Sequence, residues 1–154
     1  SDCIWIYQKK NDTFIEYNQS KITLPSGSGP RHLALLDNRF LFVANELSST
    51  VNELMWCEKS KMFKQQIQQL STLPCDFSET NWVADIHVIE QHQLVFISNR
   101  GHDSIAMFQH NKEKLTLLEI VSCHGKTPRS FTISPDQNYV LVANQDSNNL
   151  SVFK

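Results

Sequence analysis

The chain is 154 residues long, 40% of its residues are hydrophobic, and its formal net charge is -2. Because this charge balance is close to neutral, it excludes a chain-wide attraction to nucleic acid or to an anionic membrane, and we expect neither partner. No apolar run approaches the roughly 20 residues of a membrane-spanning helix, and no charged and then apolar stretch indicates a signal peptide.

Four cysteines are scattered along the chain and form neither a CxxC motif nor a dense framework: Cys3, Cys57, Cys75 and Cys123. This spacing predicts buried or half-buried thiols rather than disulfides, as is usual in a reducing compartment. We therefore expect a cytoplasmic location.

The first 24 residues predict two strands, at residues 3–8 and 13–24, joined by a polar turn at residues 9–12. Because the later strands follow a four-strand order, these two correspond to the third and fourth strands of such a unit. We therefore expect the chain to begin in mid-unit.

The segment PSGSGP, residues 25–30, is the strongest breaker in the sequence and predicts a loop. Four strands are expected after it, at residues 31–36, 40–45, 50–56 and 63–70, and the alternation in LFVAN is typical of a half-buried strand. A helix is the competing prediction for residues 61–70, because Met62, Ile67 and Leu70 could share one helical face. The repeat described next favours a strand.

An apolar run closed by an asparagine occurs three times, at Asn45, Asn99 and Asn144. The spacings, 99 − 45 = 54 and 144 − 99 = 45 residues, are typical of four-stranded propeller blades. Further strands are expected at residues 84–89, 94–99, 104–109, 115–122, 129–134, 139–144 and 149–153. We therefore predict an all-β propeller of about three and a quarter four-stranded antiparallel blades. The predicted blade boundaries are 1–24, 25–72, 73–123 and 124–154.

In an antiparallel four-stranded blade, the start of the first strand lies beside the end of the second. Three of the four arginines, Arg31, Arg100 and Arg129, therefore fall on one face, near the inner strands. Guanidinium groups fit carboxylate and phosphate oxygens, so this face predicts a cradle for a small anion. A structural ion pair between Arg31 and Glu46 is the alternative, and both roles can coexist.

The six histidines divide by position. His32 and His87 lie on predicted inner strands, where a polar tether and a functional role both remain open. His102 could bind ligand or cap its turn, whereas His92, His110 and His124 are expected on the surface or in loops. The aromatic rings of Trp5, Phe42, Phe96 and Phe108 are predicted to fill the core.

Several chemistries lack their sequence signals. No pair of cysteines or histidines has zinc-ligand spacing, so we expect no metal. No glycine-rich phosphate loop, GxSxG elbow or justified Ser/His/Asp arrangement occurs, so a nucleophilic enzyme is not indicated.

The motifs GSGPRH...NELSSTV, ADIH...SNRGHDSIAMF and PRSFTISPDQNYVLVANQDSNNLSVF together resemble the seven-bladed β-propeller lactonase family. This family includes propeller-type 6-phosphogluconolactonases and the fungal carboxymuconate lactonizing enzyme. The resemblance extends over essentially the whole chain. The turn at residues 36–39 is one residue shorter than is usual in the family, and a further His-containing family motif belongs to a preceding blade.

The resemblance implies cofactor-independent opening of an anionic sugar lactone, with 6-phosphogluconolactone as the leading candidate, by a longer enzyme of which this chain is the C-terminal part. It implies catalytic roles for Arg31, Glu46 and Arg100. The substrate-binding candidates on the same face are His32, His87, His102 and Arg129. Glu46 or a histidine would move the proton. The alternatives are muconate cycloisomerisation and a non-catalytic binding propeller, and self-association through unpaired blade edges is a further hypothesis.

Overall fold

The computed structural model describes residues 2–111 and 114–154, and it describes the backbone but not the side chains of residues 18–20 and 65–68. Within these ranges the chain forms thirteen strands and one 3-10 turn, Glu90–His92. The strands are β1 (Cys3–Lys10), β2 (Thr13–Thr23), β3 (Pro30–Leu36), β4 (Phe40–Asn45), β5 (Thr50–Cys57), β6 (Met62–Ser71), β7 (Trp82–Ile89), β8 (Leu94–Arg100), β9 (Ser104–Asn111), β10 (Lys114–Ser122), β11 (Pro128–Ile133), β12 (Val140–Asn144) and β13 (Asn149–Phe153).

The strands form four antiparallel sheets that follow one another along the chain. β1 and β2 form a two-stranded sheet, β3–β6 and β7–β10 form four-stranded sheets, and β11–β13 form a three-stranded sheet. The predicted order of strands is therefore confirmed. β6 pairs with β5, with Phe63 opposite Trp56, so the competing helix at residues 61–70 is wrong. In the part of the chain that the structure describes, no helix is long and apolar enough to cross a membrane.

The core lies between neighbouring sheets and joins them in chain order. The largest cluster joins the two four-stranded sheets and includes the fully buried rings of Phe42 and Phe108. A second cluster packs β2 onto the first four-stranded sheet, and a third packs Ile105 and Cys123 against Phe131. Burial of each such side chain stabilises the fold by about 1.5–3 kcal/mol, so the blades support one another rather than folding singly.

The first hairpin corrects one core prediction. Phe42 and Phe108 are buried as predicted, and the partly buried Phe96 packs on the third cluster. Trp5, however, is 45% exposed. Ile4 and Ile6 face the second cluster, and because side chains alternate along a strand, Trp5 points to the opposite face.

The repeated asparagines hold the turns that connect the second and third strands of each blade. Asn45 Nδ2 donates to Thr50 Oγ1 at 3.0 Å, and Asn144 Nδ2 donates to Ser151 Oγ at 2.9 Å. Asn99 Nδ2 donates to Ser104 Oγ at 3.2 Å. All three asparagines are buried, so these bonds satisfy polar groups that would otherwise be costly to bury.

Two further predictions are wrong. His110 was expected on the surface but is 4% exposed on β9. Its Nε2 lies 3.2 Å from Oε1 of the buried Glu53, and its ring packs 4.3 Å from that of Phe40. Cys75 is exposed rather than half-buried, because it lies in the connection between β6 and β7, outside the packed sheets.

Candidate active site

Glu46 lies in the turn between β4 and β5, and its backbone is held from two sides. Its N–H donates to the carbonyl oxygen of Gly29 at 2.8 Å, and its own carbonyl accepts from the N–H of Val83 at 3.3 Å. Gly29 has a φ of 62°, and a Cβ there would lie 2.5 Å from Cγ of Leu47. The loop before β3 therefore needs glycine at this point, and it positions Glu46.

The carboxylate of Glu46 lies between two arginines that belong to different blades. Its Oε1 accepts a hydrogen bond from Arg31 Nη1 at 3.4 Å and a shorter one from Arg100 Nη2. Arg100 Nη2 also donates to the carbonyl oxygen of Val83 at 3.3 Å. The side chains of Arg31 and Arg100 are 21% and 16% exposed. Because they are partly shielded from water, these charge-assisted bonds hold both guanidinium groups in place.

The inner strands β3, β7 and β11 each shift register by one residue near their start. Such a bulge bends a strand and redirects its side chains. After the shift, His32 pairs with Ala44 and Ser130 pairs with Ala143. The N–H of Asp85 donates to Ser98 Oγ at 3.0 Å. These partners, Ala44, Ser98 and Ala143, each come directly before a repeated asparagine. His32, Asp85 and Ser130 therefore occupy equivalent positions in three successive inner strands.

Asp85 connects these three strands through its carboxylate. Oδ1 lies 2.8 Å from His32 Nδ1 and accepts from the N–H of Ile86 at 3.0 Å. Oδ2 accepts from Ser130 Oγ at 2.9 Å and from the N–H of Phe131 at 3.2 Å. His87 Nε2 lies 3.4 Å from the same oxygen. Donors from β3, β7 and β11 therefore converge on one carboxylate.

The surroundings of Asp85 keep it ionised. Burial raises the pKa of Asp85, but the contacts with His87, His32, Ser130 and the N–H of Phe131 outweigh burial and hold that pKa well below its usual value of 3.8. Hydrogen bonds to the charged form of a carboxyl group favour that form. Asp85 is therefore an anion at neutral pH and only accepts hydrogen bonds.

Two open clefts meet at Arg31 and His32. The main cleft, of about 740 Å³, lies between β3 and β7. Its polar lining residues are Arg31, His32, Asp85, His87, Glu90 and Gln137. The second cleft, of about 620 Å³, lies towards β11 and is also lined by Arg129, Ser130, Gln145 and Asn148. Basic groups therefore line the meeting point of both clefts.

Most of the predicted site residues lie together. His32 and His87 line the main cleft, and Arg129 lines the second cleft, where its Nη1 donates to Gln145 Oε1 at 3.0 Å. The alternative prediction of an Arg31–Glu46 ion pair is confirmed. His102 is held by its own turn: Nδ1 lies 2.7 Å from Ser104 Oγ, and its ring packs edge-on against Phe77 at 4.7 Å. Three of the predicted residues, Glu46, Arg100 and His102, line neither cleft.

Asp85 and Ser130 are the site residues that the sequence-based candidates lack. The motif ADIH contains Asp85, but nothing in it indicated that Asp85 contacts His32, which is 53 residues away. Aligning the three blades on Asn45, Asn99 and Asn144, with one gap for the shorter turn at residues 36–39, would have indicated both residues, because it places Asp85 and Ser130 at the position equivalent to His32. Among the described residues no group of three His, Cys, Asp or Glu side chains could hold a metal ion.

A comparison with protein families decides the relationship of this chain. A family model described as Lactonase, 7-bladed beta-propeller matches residues 1–154. The chain belongs to this lactonase family. The 6-phosphogluconolactonase of Bacillus subtilis is 32% identical over 156 residues, which cover 99% of this chain and 44% of that protein. The 6-phosphogluconolactonase of Pectobacterium atrosepticum is 33% identical over 141 residues, covering 89% of this chain and 42% of that protein.

Solved structures place the lactonase chain in the same fold. A Lactobacillus plantarum protein superposes with a TM-score of 0.92 at 32% identity, covering 99% of this chain and 45% of that one. The periplasmic gluconolactonase PpgL of Pseudomonas aeruginosa superposes with a TM-score of 0.88 at 28% identity, covering 99% and 44%. This chain thus spans less than half the length of these relatives.

Proposed function

We propose that the complete protein hydrolyses a sugar lactone and that 6-phosphogluconolactone is its substrate. The observation that carries this proposal is that Arg31, which lines the open main cleft, shares the Glu46 carboxylate with Arg100. Relatives named 6-phosphogluconolactonase support the choice of substrate.

Arg31 and Arg100 suit the charge that develops during lactone opening. When water adds to the lactone carbonyl, negative charge grows on the carbonyl oxygen, and fixed guanidinium groups stabilise it without reorganising. Glu46 serves first to hold both groups, since its Oε1 already accepts from each of them. Glu46 or a histidine orients the attacking water and moves its proton.

The remaining candidates are proposed to bind substrate. Among the described residues, the guanidinium group of Arg129 has a hydrogen bond to a neutral amide, that of Gln145, and no carboxylate partner. Its charge is therefore available to the phosphate group. His32 and His87 border the lactone ring in the main cleft. The predicted role of His102 has less support, because its ring is engaged with Ser104 and Phe77.

A hydrolysis assay on the complete protein tests this function. We expect 6-phosphogluconolactone to be opened faster than its spontaneous hydrolysis, and we expect Arg100→Ala to reduce kcat/KM about 100-fold. Arg39→Ala is the matched control, because Arg39 is exposed in the turn between β3 and β4, on the other edge of the blade. Unchanged kcat/KM in Arg100→Ala would contradict the proposal. Saturable binding of 6-phosphogluconate without turnover would indicate a non-catalytic binding propeller instead.

We also propose the cellular compartment, the cofactor requirement and the oligomeric state of the protein. The thiols Cys57, Cys75 and Cys123 support a reducing compartment such as the cytoplasm. One relative is periplasmic, so cell fractionation decides this point. Nothing in the proposed chemistry requires a cofactor. Self-association through the edges of β1 and β13 stays a prediction that the mass of the protein in solution tests.

A further inference from the structure

The contact between Asp85 and His32 determines which nitrogen of the histidine is available. Because Asp85 is ionised and only accepts, His32 Nδ1 at 2.8 Å must carry the proton of this hydrogen bond. When the ring is neutral, its Nε2 therefore carries a bare lone pair. The His32 side chain is 43% exposed and borders both clefts, so this lone pair belongs to the open part of the site.

The other two candidates for proton transfer are less suited. Oε1 of Glu46 already accepts from two guanidinium groups. His87 lies farther from Asp85, at 3.4 Å, and packs edge-on against Phe131 at 4.7 Å. Among the residues that the structure describes, His32 alone combines a short bond to the Asp85 anion with a place where both clefts meet.

We propose that Asp85 is a positioning residue that orients His32 and fixes its tautomer, so that His32 Nε2 is the base and then the acid of lactone opening. The inference rests on the proposed function, which it deepens. Asp85 acts through His32, and Ser130 and the N–H of Phe131 hold Asp85 itself.

The proton movements balance in two steps. Water forms a bond to the lactone carbonyl carbon while Nε2 takes its proton, and the carbonyl oxygen becomes an oxyanion facing Arg31. When the tetrahedral intermediate collapses, the bond between that carbon and the ring oxygen breaks, and Nε2 returns its proton to the ring oxygen. The product is the hydroxy acid, whose carboxyl proton goes to solvent. Asp85 stabilises the transient imidazolium by charge.

The charged and titratable groups around His32 predict the pH dependence. They are Asp85 and His87 on β7, Arg31 on β3, Arg129 on β11 and Glu90 in the main cleft. Asp85→Asn removes the anion in contact with His32 and leaves the cations Arg31 and Arg129 on the same clefts. We therefore expect the acidic limb of the kcat/KM profile of this variant to lie at lower pH than that of the wild type.

A double-mutant cycle on the complete protein tests the inference. We expect His32→Gln to lower kcat about 100-fold or more and Asp85→Asn to lower it about 10- to 100-fold. In the His32→Gln background, Asp85→Asn should cost less than about threefold, because Asp85 acts through His32. Independent, multiplicative losses with an unmoved acidic limb would overturn the proposal. Ser130→Ala is the comparison variant: it removes another donor to Asp85 but keeps the charge of Asp85, so its acidic limb should move less than that of Asp85→Asn.

A second measurement uses the wild-type protein, so it does not depend on whether a variant folds. Nitrogen-15 NMR of the neutral His32 ring in the wild-type protein should show the proton on Nδ1, and a neutral ring with its proton on Nε2 would overturn the inference. Failure of the proposed function is a different result: the wild-type protein would hydrolyse no lactone at all. That result would remove the catalytic role of His32, whereas multiplicative losses in an active enzyme would remove only the role of Asp85.

Discussion

Arg31 and Arg100 lie in successive blades, yet both donate to the same carboxylate oxygen, Oε1 of Glu46. Arg100 is 54 residues from Glu46 in sequence. This shared oxygen joins the start of β3, the turn after β4 and the end of β8. The geometry of the anion site therefore depends on how two blades pack.

Removal of the charge on Glu46 should separate catalysis from binding. In Glu46→Gln the two guanidinium groups lose the anion that holds them, so we expect kcat to fall about 10- to 100-fold. KM should stay equal or fall, since the uncompensated cations still attract the anionic substrate. Steady-state kinetics on 6-phosphogluconolactone measure both constants. An unchanged kcat would show that Glu46 does not organise the site.

Acidification should weaken the protein partly through Asp85. Because the pKa of Asp85 in the folded protein lies below its usual value of 3.8, its contribution to stability is complete above that value and is lost as the pH falls below it. Asp85→Asn should be about 1–3 kcal/mol less stable than wild type at pH 7. This difference should shrink as the pH falls from about 5 to about 2. Denaturant unfolding at several pH values measures it, and a difference independent of pH would contradict the assignment.

Two glycines of one loop form a matched pair of tests. Gly29 has a φ of 62°, and a Cβ there would lie 2.5 Å from Leu47. Gly27 has a φ of 82° but no atom within 4 Å of such a Cβ. Gly27→Ala should therefore cost only the backbone strain, about 1 kcal/mol, whereas Gly29→Ala should cost more and also lower kcat by displacing Glu46. Equal effects of the two substitutions on unfolding and kcat would contradict this role of Gly29.

The core and the first hairpin should respond differently to truncation. Phe42 is fully buried, so Phe42→Ala should lower the free energy of unfolding by about 3–5 kcal/mol. Trp5 is 45% exposed, with the ammonium group of Lys21 5.5 Å from its ring centroid. Trp5→Ala should cost less than about 1 kcal/mol. Thermal unfolding of both variants tests this contrast, and comparable losses would mean that Trp5 is packed.

Much of the fold was predictable from local pattern. The apolar runs closed by Asn45, Asn99 and Asn144 reveal the blades because each asparagine meets the same local need, a buried polar cap on a turn. Alternation along the strands predicted their positions, and antiparallel connection placed three arginines on one face. These features are set by residues close in sequence, or by a pattern that recurs in each blade, so the sequence alone reveals them.

Contacts between blades were decided by the tertiary structure. Alternation tells on which side of a strand a residue lies, but not whether another sheet covers that side, so Trp5 and His110 were assigned wrongly. The bulges in β3, β7 and β11 leave no clear sequence signal, yet they place His32, Asp85 and Ser130 in line. His32 and Ser130 meet at the buried Asp85 carboxylate only when the three inner strands pack side by side, because the two bonds join residues that are 53 and 45 positions apart in sequence.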